Sequence, residues 1–221
     1  MRVLITGAAG HLGRVVSRAF VEDGAAVRAL CHRKRPRGLT AGVEVVWGDV
    51  TRPESLEGVV DGVDAVVHLA GIVPPLTEER PDLAAQVNVG GTAALVEAVR
   101  STGRPMGFLY ASSTVVFGPQ ADVDGPVGPD DPTCPSSIYA RTKLEAEEVL
   151  RGSGIDHVIL RLTSILWTDF GLAEARRLMY SIPLRNRMEI CHPEDMATAV
   201  LHAVKGFARV EGETLIIAGG Q

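Results

Sequence analysis

The chain has 221 residues, 46% of them hydrophobic and 22% charged, with a formal net charge of −5. That length suffices for one full α/β core, and an acidic chain without an aromatic-plus-basic stripe argues against a nucleic-acid partner. The apolar runs are strand-sized rather than membrane-spanning, and no signal segment precedes the first strand, so a cytoplasmic protein without a membrane partner is expected. Cys31, Cys134 and Cys191 are odd in number and far apart, with no C-x-x-C. They read as reduced thiols, and no metal site is expected.

Apolar runs then alternate with helical periods along the chain. Strand-like runs fall at residues 3–6, 27–31, 43–47, 65–69, 107–111 and 157–162, and helical periods at 11–22, 53–60, 83–100 and 138–150. Thr51 is the expected N-cap of the second helix, with Pro53 and Glu54 in its first turn, and Gly103 the stop of the third. Residues 118–136, rich in Pro, Gly and Asp, form one long loop of the kind used as a lid or binding loop. Beyond the sixth strand, residues 170–180 and 193–206 read as helices and 213–218 as a last strand. Pro193, Glu194 and Asp195 mark a helix start behind His192.

Six β-α alternations with near-continuous apolar strands imply a parallel sheet covered on both faces. Right-handed crossovers make it a doubly wound α/β sheet, with its ligand crevice at the C-terminal strand ends. Residues 1–165 would form this Rossmann-type domain, and residues 166–221 a short substrate-side segment packed on it.

The chemistry-bearing motifs fall just past those strand ends. The first strand stops at Gly7, and Gly10 and Gly13 recur as a helix begins, giving G-x-x-G-x-x-G. A strand feeding a helix N-terminus through glycines lets the backbone approach a phosphate at the positive end of the helix dipole. Tyr139 and Lys143 lie four apart on one helix face, where a cation favours the phenolate. Ser112, Ser113 and Thr114 place hydroxyls at the end of the fifth strand.

Taken in order, these motifs resemble the extended branch of the short-chain dehydrogenase/reductase superfamily, the NAD(P)-dependent epimerases, dehydratases and reductases. The resemblance implies coenzyme binding by the loop Gly7, Ala9, Gly10, His11, Leu12 and Gly13, by Asp49 and Val50 toward the adenine, by Leu69, Ala70 and Gly71 along the coenzyme, and by Asn88 in Asn88-Val89-Gly90-Gly91-Thr92. It places Ser113, Tyr139 and Lys143 on the catalytic triad, with Tyr139 as general acid/base and Lys143 lowering its pKa and holding the nicotinamide ribose. Arg161 matches the arginine that ends strand six, and residues 192–197 resemble a C-terminal family motif. Several residues have plain alternatives: Asp49 as a helix cap, Asn88 as an internal helix polar group holding a water, His68 as a structural histidine in an apolar strand, and His192 as a neighbour of a helix N-terminus. A homodimer through the helices at 83–100 and 138–150 is the family default.

The departures from the family pattern narrow the reaction and the coenzyme. Thr114 and Val115 stand where the 4,6-dehydratases carry an ionisable pair, which excludes that elimination. Cys31 stands where NAD enzymes place an acid, and His32 and Arg33 open a basic run suited to a 2′-phosphate, so NADP is expected to lead and NAD is possible. Only about 60 residues follow Arg161, so the substrate cap is abbreviated or the chain cut short. An oxidoreductase acting on a sugar-like or other small hydroxy or keto substrate leads. A nucleotide-sugar 4-epimerase and a non-catalytic NADP-sensing protein are the alternatives.

Overall fold

The computed structural model describes residues 1–32, 38–119, 125–165 and 189–219. Its strands are β1 (Arg2–Thr6), β2 (Ala26–Cys31), β3 (Glu44–Trp47), β4 (Ala65–His68), β5 (Gly107–Ser113), β6 (His157–Leu162), the short β7 (Ser164–Ile165) and β8 (Ile190–Cys191), and β9 (Thr214–Ile217). Seven of them form one sheet in the order β3-β2-β1-β4-β5-β6-β9, every neighbouring pair parallel. This is the doubly wound arrangement, reversing direction between β1 and β4.

Alternation along the strands explains the two layers. Val3 and Ile5, Leu109 and Ala111, and Val158 and Leu160 face one layer, which also contains Val16 and Phe20 of α1 (His11–Glu22) and Met196 and Val200 of α6 (Pro193–Lys205). Leu4, Phe108, Tyr110 and Ile159 face the other, with Leu95 and Val99 of α4 (Gly91–Ser101) and Ala146 and Leu150 of α5 (Ile138–Arg151). Strands buried on both faces read as continuous apolar runs.

The helical period at residues 53–60 is a correction. Only a 3₁₀ turn, Pro53–Leu56, forms there, its N-cap is Arg52 rather than Thr51, and Gly58 turns the chain at φ +71°. The period at 83–100 is broken differently. Short helices α2 (Leu76–Glu79) and α3 (Pro81–Ala84) precede a π-turn, Ala85–Gly90, that runs into α4. Gly103, at φ +61°, follows the end of α4 as expected. His192 caps α6, its Nδ1 accepting from the Glu194 N–H at 3.3 Å. The helix expected at 170–180 and the middle of the 118–136 loop lie outside the described residues. Among the described residues, no helix is long and apolar enough to cross a membrane.

Candidate active site

The glycine loop is shaped by two close approaches. Gly7 sits at φ +68°, and a Cβ there would lie 2.7 Å from the Ala70 backbone nitrogen. A Cβ on Gly13 would lie 2.1 Å from the Gly7 carbonyl oxygen, so α1 packs against the loop only with glycine there. Gly10 differs: its Cβ would meet only the Gly7 oxygen, at 3.2 Å, and its outer side is open. Gly10 is the N-cap of α1, and no side chain caps that first turn. An uncapped helix N-terminus behind an open glycine, with Ala9, Gly10 and His11 exposed, Leu12 half-buried and Gly13 buried behind it, fits a pyrophosphate.

Behind the loop runs a chain of hydrogen bonds whose direction is fixed by counting hydrogens. The Thr92 hydroxyl has one hydrogen and donates it to the Asn88 carbonyl at 2.6 Å. His68 Nε2, 3.0 Å from the same oxygen, therefore carries the imidazole hydrogen. Nδ1 accepts from the Thr6 hydroxyl at 2.7 Å, and the Thr6 oxygen accepts from the Ala70 N–H at 3.1 Å. His68 is fully buried, and burial together with the charge of Lys143 pushes its pKa down to about 3. The imidazole is neutral and structural, as its apolar strand suggested.

Asn88 lies in the π-turn, a distortion that recurs at functional sites. Its Oδ1 accepts from the Ile72 N–H at 2.8 Å, while Nδ2 donates to the Ile72 carbonyl and to Thr142 Oγ1, both at 3.1 Å. The β4 end is thereby clamped to α5. A Cβ on Gly71 would lie 3.0 Å from Asn88 Oδ1 and 3.7 Å from Lys143 Nζ, so Gly71, Asn88 and Lys143 converge where Leu69-Ala70-Gly71 leaves the sheet.

Ser113, Tyr139 and Lys143 also come together. Ser137 caps α5 by accepting from the Ala140 N–H at 3.0 Å, which sets Tyr139 in the first turn. The Ser113 hydroxyl lies close enough to the Tyr139 phenol to favour its ionised form. The Lys143 ammonium lies 5.8 Å from the centre of the Tyr139 ring and 4.8 Å from that of Tyr110, and donates to the Ala111 carbonyl at 2.8 Å. Burial pushes the phenol of Tyr139 up to about 12, against the opposing Ser113 hydroxyl. Burial also brings Lys143 down to about 8, with Glu147 acting in the other direction. In this arrangement burial outweighs the Ser113 hydroxyl, and the phenol stands above its ordinary value.

Past the ends of β2 and β3, Asp49 and His32 meet each other. Asp49 Oδ2 pairs with His32 Nε2 at 2.8 Å, and Oδ1 accepts from the Thr51 N–H and hydroxyl at 3.0 and 2.8 Å. Burial raises the Asp49 carboxyl, but the Thr51 bonds and His32 bring it below the ordinary value. Asp49 thus braces the turn at Thr51 and does not cap a helix: the 3₁₀ turn that follows has Arg52 as its N-cap and no side-chain cap. Val50 packs against Gly91, where a Cβ would lie 2.7 Å from Val50 Cγ2. Cys31 is buried at the end of β2, and Arg33 lies outside the described residues.

Glu147 went unnoticed in the sequence. It is fully buried on α5 and accepts from Arg161 Nε at 3.1 Å, Arg161 Nη2 at 2.8 Å, Arg151 Nη2 at 2.9 Å and the Ser112 hydroxyl. Arg161 Nη1 reaches the Pro129 carbonyl at 2.9 Å, tethering the long loop to β6. The available signal was spacing: Tyr139, Lys143 and Glu147 lie four apart on one helix face.

A glycine loop, an aspartate just past β3 and a Ser–Tyr–Lys set at one sheet edge are joined by a sequence match over residues 3–166 to the NAD dependent epimerase/dehydratase family. The chain belongs to that family. Among relatives of this epimerase/dehydratase chain, D-erythronate dehydrogenase of Cupriavidus necator is 35% identical over 75% of the chain and 55% of its own length. UDP-glucose 4-epimerase of Azospirillum brasilense is 32% identical over 76% and 50%. A short-chain dehydrogenase/reductase superfamily protein from Agrobacterium tumefaciens, solved with bound NAD, superposes with a TM-score of 0.79 at 28% identity, covering 99% of this chain and 77% of that one. The chain spans about half the length of these curated relatives.

Proposed function

We propose that this chain carries the coenzyme site and the proton-transfer residues of an NAD(P)-dependent oxidoreductase acting on a hydroxyl or keto carbon of a sugar-like or other small substrate. One observation carries the reading: Ser113, Tyr139 and Lys143 meet at the C-terminal edge of the sheet, beside the exposed Gly71 backbone. The residues that would hold the dinucleotide are the Gly7–Gly13 loop, Asp49, the Leu69-Ala70-Gly71 backbone and Lys143. When bound, the nicotinamide supplies or accepts the hydride. Tyr139 then gives its proton to a carbonyl oxygen, or takes one from a hydroxyl. Ser113 orients that oxygen with its hydroxyl from the end of β5, and Lys143 brings positive charge beside it.

A phenol held near 12 is a weak acid that keeps its proton at neutral pH, so it is ready to protonate a carbonyl oxygen, while the oxidation direction first requires it to lose that proton, which positive charge beside it favours. A nucleotide-sugar 4-epimerase is the second reading, favoured by the Azospirillum brasilense relative. Net reduction of external coenzyme supports the dehydrogenase, whereas tightly retained NAD without net turnover supports the epimerase. A non-catalytic coenzyme sensor has no use for an assembled Ser–Tyr–Lys set.

NADP is the proposed coenzyme: β2 ends in buried Cys31, and the carboxylate reaching His32 is Asp49 from the β3 side. Fluorescence titration with NADPH and NADH, on wild type and Tyr139→Phe, tests both halves of the reading. The variant should bind coenzyme within about twofold of wild type and lose at least about 10³-fold in turnover on a responsive substrate. Retained turnover removes Tyr139 from its role, and NADH binding as tightly as NADPH removes the NADP preference.

A further inference from the structure

The first turn of α5 contains no acidic residue, yet its positive end is met by a carboxylate from elsewhere. Glu78, exposed on α2, accepts from the Ile138 N–H through Oε2 at 3.1 Å and from the Tyr139 N–H through Oε1 at 3.0 Å. Ser137 takes the Ala140 N–H. Three successive backbone donors at the start of α5 are thus satisfied, two of them by one residue 60 positions upstream, and one of those two belongs to Tyr139 itself. A carboxylate on a helix N-terminus makes charge-assisted bonds in line with the helix dipole. These bonds hold the Glu78 carboxyl below its ordinary range: the one from Tyr139 leads, and burial opposes.

The loop carrying Glu78 is tied down at its other end too. Asn88 holds the Ile72 backbone by both N–H and C=O, and its Nδ2 also reaches Thr142, the residue before Lys143. Residues 72–78 therefore run between two fastenings to the same helix, one direct at Tyr139 and one through Asn88 beside Lys143. We infer that Glu78 is a positioning residue for Tyr139: its bidentate grip fixes the first turn of α5, and with it the reach of the phenol toward Ser113, and makes the loop after β4 move with the acid/base residue. This rests on the reading of Tyr139 as general acid/base. A capping role for stability alone requires no coupling between that loop and turnover.

The test compares Glu78→Ala, which removes both acceptors, with Glu78→Gln, which keeps one carbonyl oxygen in place. Amide hydrogen exchange, followed by NMR, needs no substrate. In Glu78→Ala the Ile138 and Tyr139 amides should exchange about tenfold faster or more, and those of residues 76–80 should follow, while β1 and β4 keep their rates. With a responsive substrate, kcat should fall about tenfold while coenzyme affinity stays within about twofold of wild type, and Glu78→Gln should recover part of both losses. Unchanged exchange at Ile138 and Tyr139 overturns the grip. A lower melting temperature with kcat preserved reduces Glu78 to a cap and overturns the positioning role. If Tyr139→Phe keeps its turnover, the acid/base reading fails separately, and the exchange rates still report on the grip.

Discussion

At the scale of single residues, Lys143 shows function working against stability. It is buried, its charge is met by the Ala111 carbonyl and two aromatic faces, and burial lowers its pKa from 10.5 to about 8. The unfolded chain therefore binds more protons than the folded one between those values, and stability rises with pH across that window. Below pH 8 the protonated lysine costs its full amount, with an upper limit of about 3 kcal/mol at roughly 1.4 kcal/mol per pH unit. Lys143→Met should unfold at higher urea than wild type at pH 7, and the gap should close toward pH 10.5. A variant no more stable than wild type at pH 7 refutes this account. The sequence showed that Tyr139 and Lys143 share a helix face but not how dry that face is. Desolvation depends on what covers a side chain, and that coverage comes from distant elements such as Tyr110 and Ala111.

At the scale of elements, the glycine loop was legible because each glycine answers a local constraint, and the constraints differ. Gly13 is required by the protein itself, since a Cβ would collide with the Gly7 carbonyl, while Gly10 has room on the protein side and is open toward the crevice. Gly13→Ala should cost about 3 kcal/mol or more in denaturant unfolding, as overpacking against rigid backbone does. Gly10→Ala should cost under about 1 kcal/mol yet weaken dinucleotide binding at least about tenfold. If the two variants behave alike in both measurements, the loop is not divided in this way. The π-turn at Asn88 was not legible: residues 83–100 keep a helical apolar period, and one extra residue per turn leaves that pattern nearly intact. The 3₁₀ turn at Pro53 failed the other way. Its apolar spacing is helical, but Gly58 at φ +71° and Gly62 at φ +65° turn the backbone out of a helix.

At the scale of the molecule, the doubly wound parallel sheet and a crevice at its C-terminal strand ends follow from β-α alternation and crossover handedness, both readable in sequence. What holds those ends together does not. Glu147 on α5 binds Ser112 at the end of β5 and Arg161 on β6, Arg161 reaches Pro129 in the long loop, and Arg151 bonds Thr214 on β9 at 3.1 Å. Five pieces of chain thus depend on one buried carboxylate, and no local sequence pattern announces a partnership between positions so far apart. Burial by itself would raise the Glu147 carboxyl, but the bonds from Arg161, Ser112 and Arg151 bring it below the ordinary value of 4.5. Its contribution is therefore complete at neutral pH and is lost as pH falls below that value through the folded one. Removing Glu147 leaves the Arg161 guanidinium buried with no carboxylate, and removing Arg161 leaves the Glu147 carboxylate buried with only Arg151 and Ser112, so Glu147→Ala and Arg161→Ala should each lose about 3–5 kcal/mol in urea unfolding at pH 7. Replacing both with apolar residues of similar size, Glu147→Leu with Arg161→Met, leaves neither charge stranded and should recover at least about half of that loss. The double variant should also lose less stability than wild type as pH falls from 5 to about 3, because its folded state no longer contains the depressed carboxyl. If the double variant is as unstable as either single one, the cluster contributes through its specific hydrogen bonds to Ser112 and Pro129 rather than through charge balance.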